Sequence, residues 1–199
     1  MDKKFGIGQP VPRVEDPRFI TGRGRYVDDF DLPQQAHAVL VMSPHAHARI
    51  TRIDTAKAKA ADGVLAVLTG ADVLADKLGG LAPPMPEDMG GPKGFRTQRS
   101  ILATDKVRAV GERVAFVVAE TLTQAKNAAE LIQIDYEPLP AVIDVEDAVK
   151  PGAPVIWDEA PNNVSFALMM GNKDATDAAF ASAKHTVSLK VRNTRITAN

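Results

Sequence analysis

The chain has 199 residues, of which 45% are hydrophobic, and its 24 Lys and Arg nearly balance its 25 Asp and Glu, which leaves a net charge of −1. This length allows one large domain or two small ones, with enough apolar residues for a core. Balanced charge excludes the basic stripe of a nucleic-acid-binding surface, and no apolar run reaches the roughly 18 residues of a membrane-spanning helix. The chain contains no cysteine, which excludes disulfides, thiolate nucleophiles and cysteine-ligated metals.

The amino terminus has no apolar segment of the kind that a secretory signal requires. Gly6, Gly8, Pro10 and Pro12 stand where such a segment would lie. We therefore expect a cytoplasmic location, although a multi-subunit enzyme can be exported together with a partner that carries the signal.

Composition and periodicity divide the chain into three segments. Residues 1–35 are dense in Gly, Pro and Asp and predict an arm of turns and short extended pieces. Residues 36–185 alternate between strand and helix patterns and predict the folded domain. In residues 186–199 apolar and polar residues alternate, which predicts the start of a further strand.

The first strands are predicted from an apolar run and an alternation. Residues 36–42 are almost entirely apolar and predict a buried strand that ends at Ser43-Pro44. Alternation then places His45 and His47 on one face of a second strand, with His37 close to them across a hairpin of residues 36–50. Two histidines at this spacing can bind zinc only with a third ligand, so histidines on a half-exposed strand are the better interpretation.

Several helices are predicted from their caps. Asp54 should cap a helix over residues 55–61, and a buried strand over residues 64–68 should follow that helix. After the strand, the spacing of Thr69 and Asp72 is that of a capping box. Later in the chain, Asp144 should cap a short helix near residues 145–149. Asp174 should cap another helix, whose apolar face carries Ala175, Ala178, Ala179 and Ala183.

Residues 114–136 form the best-defined unit of the sequence. An apolar strand over 114–119 is followed by a helix with Thr121 and Gln124 as a capping pair, and then by alternation through Ile134 and Tyr136. This order predicts that the two strands pair in parallel through a right-handed crossover.

Residues 76–100 lack any periodicity and are rich in Gly and Pro, which excludes a helix or a central strand. Loops of this length within compact domains are usually functional or disordered.

No motif for catalysis, cofactor binding or metal binding is present. Gly22-Arg23-Gly24 lacks the strand and helix of a dinucleotide site, and Gly90-Gly91-Pro92-Lys93-Gly94 lacks the Ser or Thr of a phosphate loop. The carboxylates of the arm are expected to cap turns or to pair with the nearby Arg18, Arg23 and Arg25. Tyr136 and Trp157 are expected to pack in the core, and Glu112 to be solvated or to pair with Arg108 or Arg113.

Short segments spread over nearly the whole chain, from about residue 6 to residue 199, resemble the hammerhead domain of the large subunit of xanthine dehydrogenases, aldehyde oxidases and aerobic carbon monoxide dehydrogenases. Each segment is weak alone, but their order and spacing are specific. Gly171-Asn172 departs from the Gly-Asp that is common in the family. In chain order the matching segments are Pro12-Arg13-Val14-Glu15-Asp16, Thr21-Gly22-Arg23-Gly24-Arg25-Tyr26-Val27-Asp28-Asp29, Ser43-Pro44-His45-Ala46-His47-Ala48-Arg49-Ile50, Asp62-Gly63-Val64, Leu102-Ala103, Val107-Arg108-Ala109-Val110-Gly111-Glu112, Asp135-Tyr136-Glu137-Pro138-Leu139-Pro140-Ala141-Val142 and Ala178-Ala179-Phe180.

The resemblance implies an α+β fold, the α/β hammerhead, in which helices pack on a mixed sheet. In the complete enzymes the large subunit binds molybdopterin, often as the cytosine dinucleotide. Substrate is hydroxylated with oxygen from water, and electrons pass through two iron–sulfur clusters to FAD on partner domains or subunits. The resemblance places the cofactor loops and the catalytic base beyond residue 199. It therefore implies a scaffold and subunit-docking domain that is inactive alone, and residues 186–199 would lead into the molybdenum-binding region.

The resemblance also gives the loop over residues 76–100 a role. In related enzymes the segment just before residues 101–103 contributes to the substrate channel, which makes Met85, Met89 and Phe95 the candidates here. A connecting loop without substrate contact remains an alternative. Two other functions stay open, namely a stand-alone protein-interaction module derived from the family and an independent α/β domain that binds a small molecule.

Overall fold

The computed structural model describes residues 12–81, 95 and 98–192. The chain folds into two compact units. The first takes the described residues up to Gly79 and those from Ser100 to Leu139, and the second takes the remainder.

The described residues form eight strands, six α-helices and one 3₁₀ turn at Val27–Asp29. The strands are β1 (His37–Met42), β2 (Ala48–Asp54), β3 (Val64–Thr69), β4 (Gly80–Leu81), β5 (Arg99–Ser100), β6 (Lys106–Val107), β7 (Arg113–Ala119) and β8 (Gln133–Pro138). The helices are α1 (Asp16–Ile20), α2 (Ala56–Lys59), α3 (Gly70–Ala75), α4 (Leu122–Glu130), α5 (Val145–Ala148) and α6 (Lys173–Ser182).

Two three-stranded antiparallel sheets form the first unit. One has the order β1-β7-β3, and the other has the order β6-β2-β8. In the first sheet the register places Val117 of β7 between Val39 of β1 and Val67 of β3. β4 and β5 form a separate two-stranded ladder.

β7 contributes to both cores of this unit because it is apolar on both faces. Val117 packs with Val67, Ala58 and Ala128 under α2 and α4. Val114, three residues earlier and on the opposite face, packs in the second core, which lies against the other sheet. The buried members of this second core are Ala48, Ala103, Val107 and Val114, with Ile50, Ile53, Ile134 and Tyr136 partly buried around them.

The predicted hairpin of residues 36–50 is wrong. β1 pairs with β7, whereas β2 pairs with β6 and β8 in the other sheet. The strand pattern of residues 45–51 also begins too early, because β2 starts only at Ala48. Ala48 is completely buried in the second core, which draws the chain away from β1 after Ser43.

The predicted parallel pairing of residues 114–119 with 132–136 is also wrong, although both strands and the helix between them are confirmed. β7 already has β1 on one edge and β3 on the other, so neither hydrogen-bonding edge is left for β8. β8 pairs with β2 instead.

Most of the predicted caps are confirmed. Asp54 Oδ1 accepts a hydrogen bond from the Ala56 N–H at 3.0 Å, and the hydroxyl of Thr121 accepts one from the Gln124 N–H at 3.2 Å. Asp144 Oδ1 likewise accepts one from the Glu146 N–H at 2.8 Å. These side chains satisfy amide groups that the first turn of a helix leaves without partners.

Three local predictions are corrected. Asn172 rather than Asp174 caps α6, with its Oδ1 3.0 Å from the Ala175 nitrogen. The arm contains a real helix, α1, which has a proline in its first turn. Residues 186–192, the described part of the predicted last strand, form no strand, because a β-strand needs a partner edge and none of the described strands pairs with them.

In the second unit Asn163 links three parts of the chain. Its side-chain amide donates hydrogen bonds to the carbonyl oxygens of Ala148 and Pro154, both at 2.9 Å, and its Oδ1 accepts one from the Ile156 N–H at 3.0 Å. Its φ of 56° lies in the left-handed region, which asparagine tolerates better than most residues.

Candidate functional site

Phe95 is the described member of the three predicted channel residues. Its backbone N–H donates a hydrogen bond to the carbonyl oxygen of Ser165 at 2.8 Å, and the Ser165 hydroxyl donates to the Phe95 carbonyl at 3.5 Å. The Phe95 side chain is 36% exposed. Met85 and Met89 lie outside the described residues. The backbone at Phe95 is thus held by a neighbour in its own unit, while the residue remains partly exposed.

His45 and His47 lie in the turn before β2 rather than on its face, and His37 begins β1 in the other sheet. The His45 ring contacts the Tyr136 ring, with 4.8 Å between their centroids. His47 is only 7% exposed, and its carbonyl accepts a hydrogen bond from the Leu139 N–H at 2.9 Å. Among the described residues, no group of three or more His, Asp or Glu side chains could hold a metal ion. Packing therefore accounts for both histidines better than metal ligation does.

Two motifs that are distant in sequence meet at Ser43. Its backbone N–H donates to the Glu112 carbonyl, and its carbonyl accepts from the Gly111 N–H, both at 2.8 Å. Its buried hydroxyl accepts from the His45 N–H at 3.0 Å and donates to the His45 carbonyl at 3.2 Å. Gly111 has a φ of 82°, which glycine adopts without strain, so the two turns lock together through their backbones.

Glu112 is held by the chain itself. Its carboxylate accepts a hydrogen bond from the Arg108 backbone N–H. Beside this turn Tyr136 is partly buried, and that burial raises the pKa of its phenol. These contacts indicate that the turn at Glu112 stabilises the fold.

Carboxylates of the arm cap turns, as expected, but the ion pair that forms among its described residues is with Arg13 rather than with Arg18, Arg23 or Arg25. Arg13 Nε lies 2.9 Å from Asp16 Oδ1, and Asp29 Oδ2 accepts a hydrogen bond from the Tyr26 N–H at 2.7 Å. Arg18 lies over the Phe19 ring at 5.0 Å, and Phe19 stacks on Tyr26 with 5.5 Å between centroids.

An exposed network of ion pairs joins β2 to β8. Arg52 Nε lies 2.8 Å from Asp135 Oδ2, and Arg49 Nε lies 3.2 Å from Glu137 Oε2. The hydrogen bond to Asp135 raises the pKa of Arg52. Such exposed pairs align neighbouring strands and add little stability. The longest described helix has ten residues, and no helix in the described ranges is long and apolar enough to cross a membrane.

Comparison with known proteins identifies this fold. The family model described as the a/b hammerhead domain of aldehyde oxidase and xanthine dehydrogenase matches residues 21–140. The chain belongs to this family. The hammerhead prediction, and with it the predicted α+β fold class, is therefore confirmed.

The hammerhead chain matches large subunits of several enzymes. It is 40% identical over 195 residues to the carbon monoxide dehydrogenase large chain of Afipia carboxidovorans, covering 92% of this chain and 23% of that one. It is 39% identical over 192 residues to the nicotine 6-hydroxylase large subunit of Paenarthrobacter nicotinovorans, covering 96% of this chain and 23% of the relative.

Solved structures agree with this assignment. The Cu,Mo-CO dehydrogenase aligns over 90% of this chain and 23% of its own, with a TM-score of 0.69 and 39% identity. Quinoline 2-oxidoreductase from Pseudomonas putida 86 aligns over 82% of this chain and 20% of its own, with a TM-score of 0.68 and 42% identity. The hammerhead chain therefore spans about a quarter of the large chains that it matches, and it is a domain of the molybdenum hydroxylase large-subunit family.

Proposed function

We propose that this hammerhead domain is a scaffold and subunit-docking element of a molybdenum hydroxylase large subunit. One observation carries the proposal: nearly the whole chain matches only 23% of a carbon monoxide dehydrogenase large chain. Domains of one polypeptide form interfaces of roughly 600–1,500 Å² with one another. Because the hammerhead has its own core beneath α4, it can present those surfaces in a fixed arrangement.

The partners that we propose are the remaining, molybdenum-binding part of the large subunit and the subunits that carry FAD and iron–sulfur clusters. The relatives are named as a large chain, a large subunit and a subunit of a complex, which supports assembly with other chains. We propose no nucleic-acid or membrane partner and a cytoplasmic location, in line with the balanced charge.

The cofactors of the complete enzyme would be molybdopterin cytosine dinucleotide, iron–sulfur clusters and FAD. The described residues offer no ligands for an iron–sulfur cluster or for a metal ion. They include no cysteine and no cluster of three His, Asp or Glu side chains that could hold a metal. We therefore assign the cofactors to the rest of the enzyme, and the chemical step with them.

The loop that contains Met85, Met89 and Phe95 is proposed to line the substrate channel. The exposed ring of Phe95 on a backbone held by Ser165 supports this role, because a channel wall needs an apolar side chain in a defined place.

A chimeric enzyme tests the docking function. This chain replaces the matching segment of the Afipia carboxidovorans large chain, which is then produced together with its partner subunits. We expect the chimera to co-purify with those subunits, whereas a large chain without the segment should not. If both large chains assemble equally, the segment has no docking role, and a stand-alone interaction module becomes the better function.

A further inference from the structure

One face of the sheet β1-β7-β3 is covered by the second core at Val114 and only partly covered at Phe116, farther along the same strand. α4 packs on the other face, over Val117 and Val67. Leu40, Phe116 and Leu68 occupy matching positions on the three adjacent strands, so they form an apolar row across this partly covered face.

This row is one wall of a pocket of about 230 Å³ that lies entirely within the first unit. α3 and the segments on either side of residues 80–99 provide the rest of its apolar lining. These further apolar lining residues are Val73, Leu78, Ile101 and Leu102. Leu78 and Ile101 are themselves exposed at the pocket, which is unusual for large aliphatic side chains grouped together.

Three charged residues also line the pocket. The carboxylate of Asp72 accepts hydrogen bonds from the backbone N–H and the hydroxyl of Thr69. In contrast, the side chains of Asp76 and Arg113 make no hydrogen bond or ion pair with any residue in the described part of the chain. The pocket therefore combines apolar walls with one acidic and one basic group that have no partner there.

The sequence of β7 indicates that this face is covered in the complete protein. From Val114 to Ala119 every residue is apolar, and such a continuous run is typical of a strand that is buried on both faces. Val114 is already buried in the second core, whereas Phe116, on the same face of the strand, is only partly buried. The size of the pocket also suits a side chain, because an apolar cavity of about 150 Å³ holds one benzene molecule. One aromatic or large aliphatic side chain would fill most of it.

We propose that this pocket receives a large apolar side chain from the remaining part of the large subunit. The proposal rests on the function proposed above. About three quarters of the polypeptide of the relatives lies outside the matched segment, so a covering segment of the same chain is available. Charge complementarity places a basic group of that segment opposite Asp76 and an acidic group opposite Arg113.

Thiol labelling tests the proposal because the chain has no cysteine of its own. Leu68→Cys places a thiol on the pocket wall, and Leu65→Cys is the matched control on the same strand. Leu68 is 39% exposed and lines the pocket, whereas Leu65 is 58% exposed and does not. Each substitution is made in the 199-residue chain and in the chimeric enzyme, and maleimide labelling is followed at that site by mass spectrometry.

We expect the thiol at position 68 to react at least about tenfold more slowly in the assembled chimera than in the isolated chain, because a docked segment would exclude the reagent. The thiol at position 65 should react at similar rates in both. If position 68 reacts as fast in the assembled chimera as in the isolated chain, the docking site is overturned and the proposed function still stands. A chimera that does not assemble contradicts the proposed function and, with it, this docking.

Two other occupants give different results, and each overturns the proposal. A second copy of the chain would protect position 68 in the isolated chain, and dilution would remove that protection. A small molecule retained from the cell would protect it at every dilution, and native mass spectrometry would detect the added mass.

Discussion

Asp72 Oδ2 lies 2.6 Å from the backbone nitrogen of Thr69 and 2.9 Å from its hydroxyl oxygen. The two residues close the first turn of α3 at the point where β3 ends. Because the backbone N–H and then the hydroxyl of Thr69 stabilise the charged form, the pKa of the Asp72 carboxyl is lowered. A short helix of six residues is thereby tied to the strand that precedes it.

We predict that Asp72→Ala lowers the free energy of unfolding by about 1 kcal/mol at neutral pH, the usual contribution of a capping side chain. The folded-state pKa lies below the unfolded value of about 3.9, so the contribution is present above that value and is lost as pH falls through the folded pKa. Urea unfolding at several pH values measures the difference. Asp76→Ala, which removes no described hydrogen bond, is the control, and an equal loss in both variants would refute the assignment.

A second prediction concerns the buried Gly70 at the start of α3. A Cβ at this position would lie 2.3 Å from the carbonyl oxygen of Ala103, which belongs to the backbone and cannot rotate away. Gly70→Ala should therefore destabilise the protein by about 1–3 kcal/mol through overpacking. Ala71→Ser, at the exposed neighbouring position, should change stability by less than about 0.5 kcal/mol. Thermal unfolding that ranks the two variants in the opposite order would contradict this packing.

Asn163 provides a test in the second unit. Asn163→Ala removes three hydrogen bonds to backbone groups and should cost about 1–3 kcal/mol. Asn162→Ala removes a single exposed hydrogen bond to the Val164 N–H and serves as the matched control. Hydrogen exchange should show faster exchange of the Ile156 amide in the Asn163 variant alone. Unchanged protection of that amide would show that the side chain does not organise this unit.

The channel proposal predicts a kinetic effect of Phe95→Ala in the complete enzyme. The KM or the preference among substrates should change, because the ring would be in contact with the substrate path. Stability should change by less than the roughly 3–5 kcal/mol of a Phe→Ala substitution in a packed core, since the ring is 36% exposed. Steady-state kinetics and melting curves for this variant, Met85→Ala and Met89→Ala test the idea. Wild-type kinetics in all three would make the loop a connector.

Assignment of the cofactors to the rest of the enzyme predicts that the purified 199-residue chain is inactive. It should contain neither molybdenum nor iron in stoichiometric amount, and no flavin absorbance. Elemental analysis and an absorption spectrum measure this directly. Stoichiometric metal in the isolated chain would show that it holds a cofactor site after all.

Local sequence predicted most of the elements of the first unit, although β2 begins later and α2 is shorter than predicted. The carboxylate of Asp54 and the hydroxyl of Thr121 each accept a hydrogen bond from an amide two or three residues away, so neighbours in the sequence are sufficient to place them. The apolar run of β7 indicated a buried strand for the same reason. The cap of α6 was missed because Asn172 and Asp174 are both good capping residues. The helix of the arm was missed because its five residues have no side-chain cap and lie in a segment dense in Gly, Pro and Asp.

Strand pairing was decided only by the tertiary structure. Periodicity tells which face of a strand is buried, but the backbone donors and acceptors along its edges are the same in every strand. β7 therefore could have paired with β8, and β1 with β2, until both edges of β7 were occupied by β1 and β3. The same packing placed His45 against Tyr136 and buried His47, since those environments come from residues about ninety positions away along the chain. Side-chain chemistry along the sequence determined the family and the local caps. Competition for hydrogen-bonding edges determined which strands pair and which residues surround the histidines.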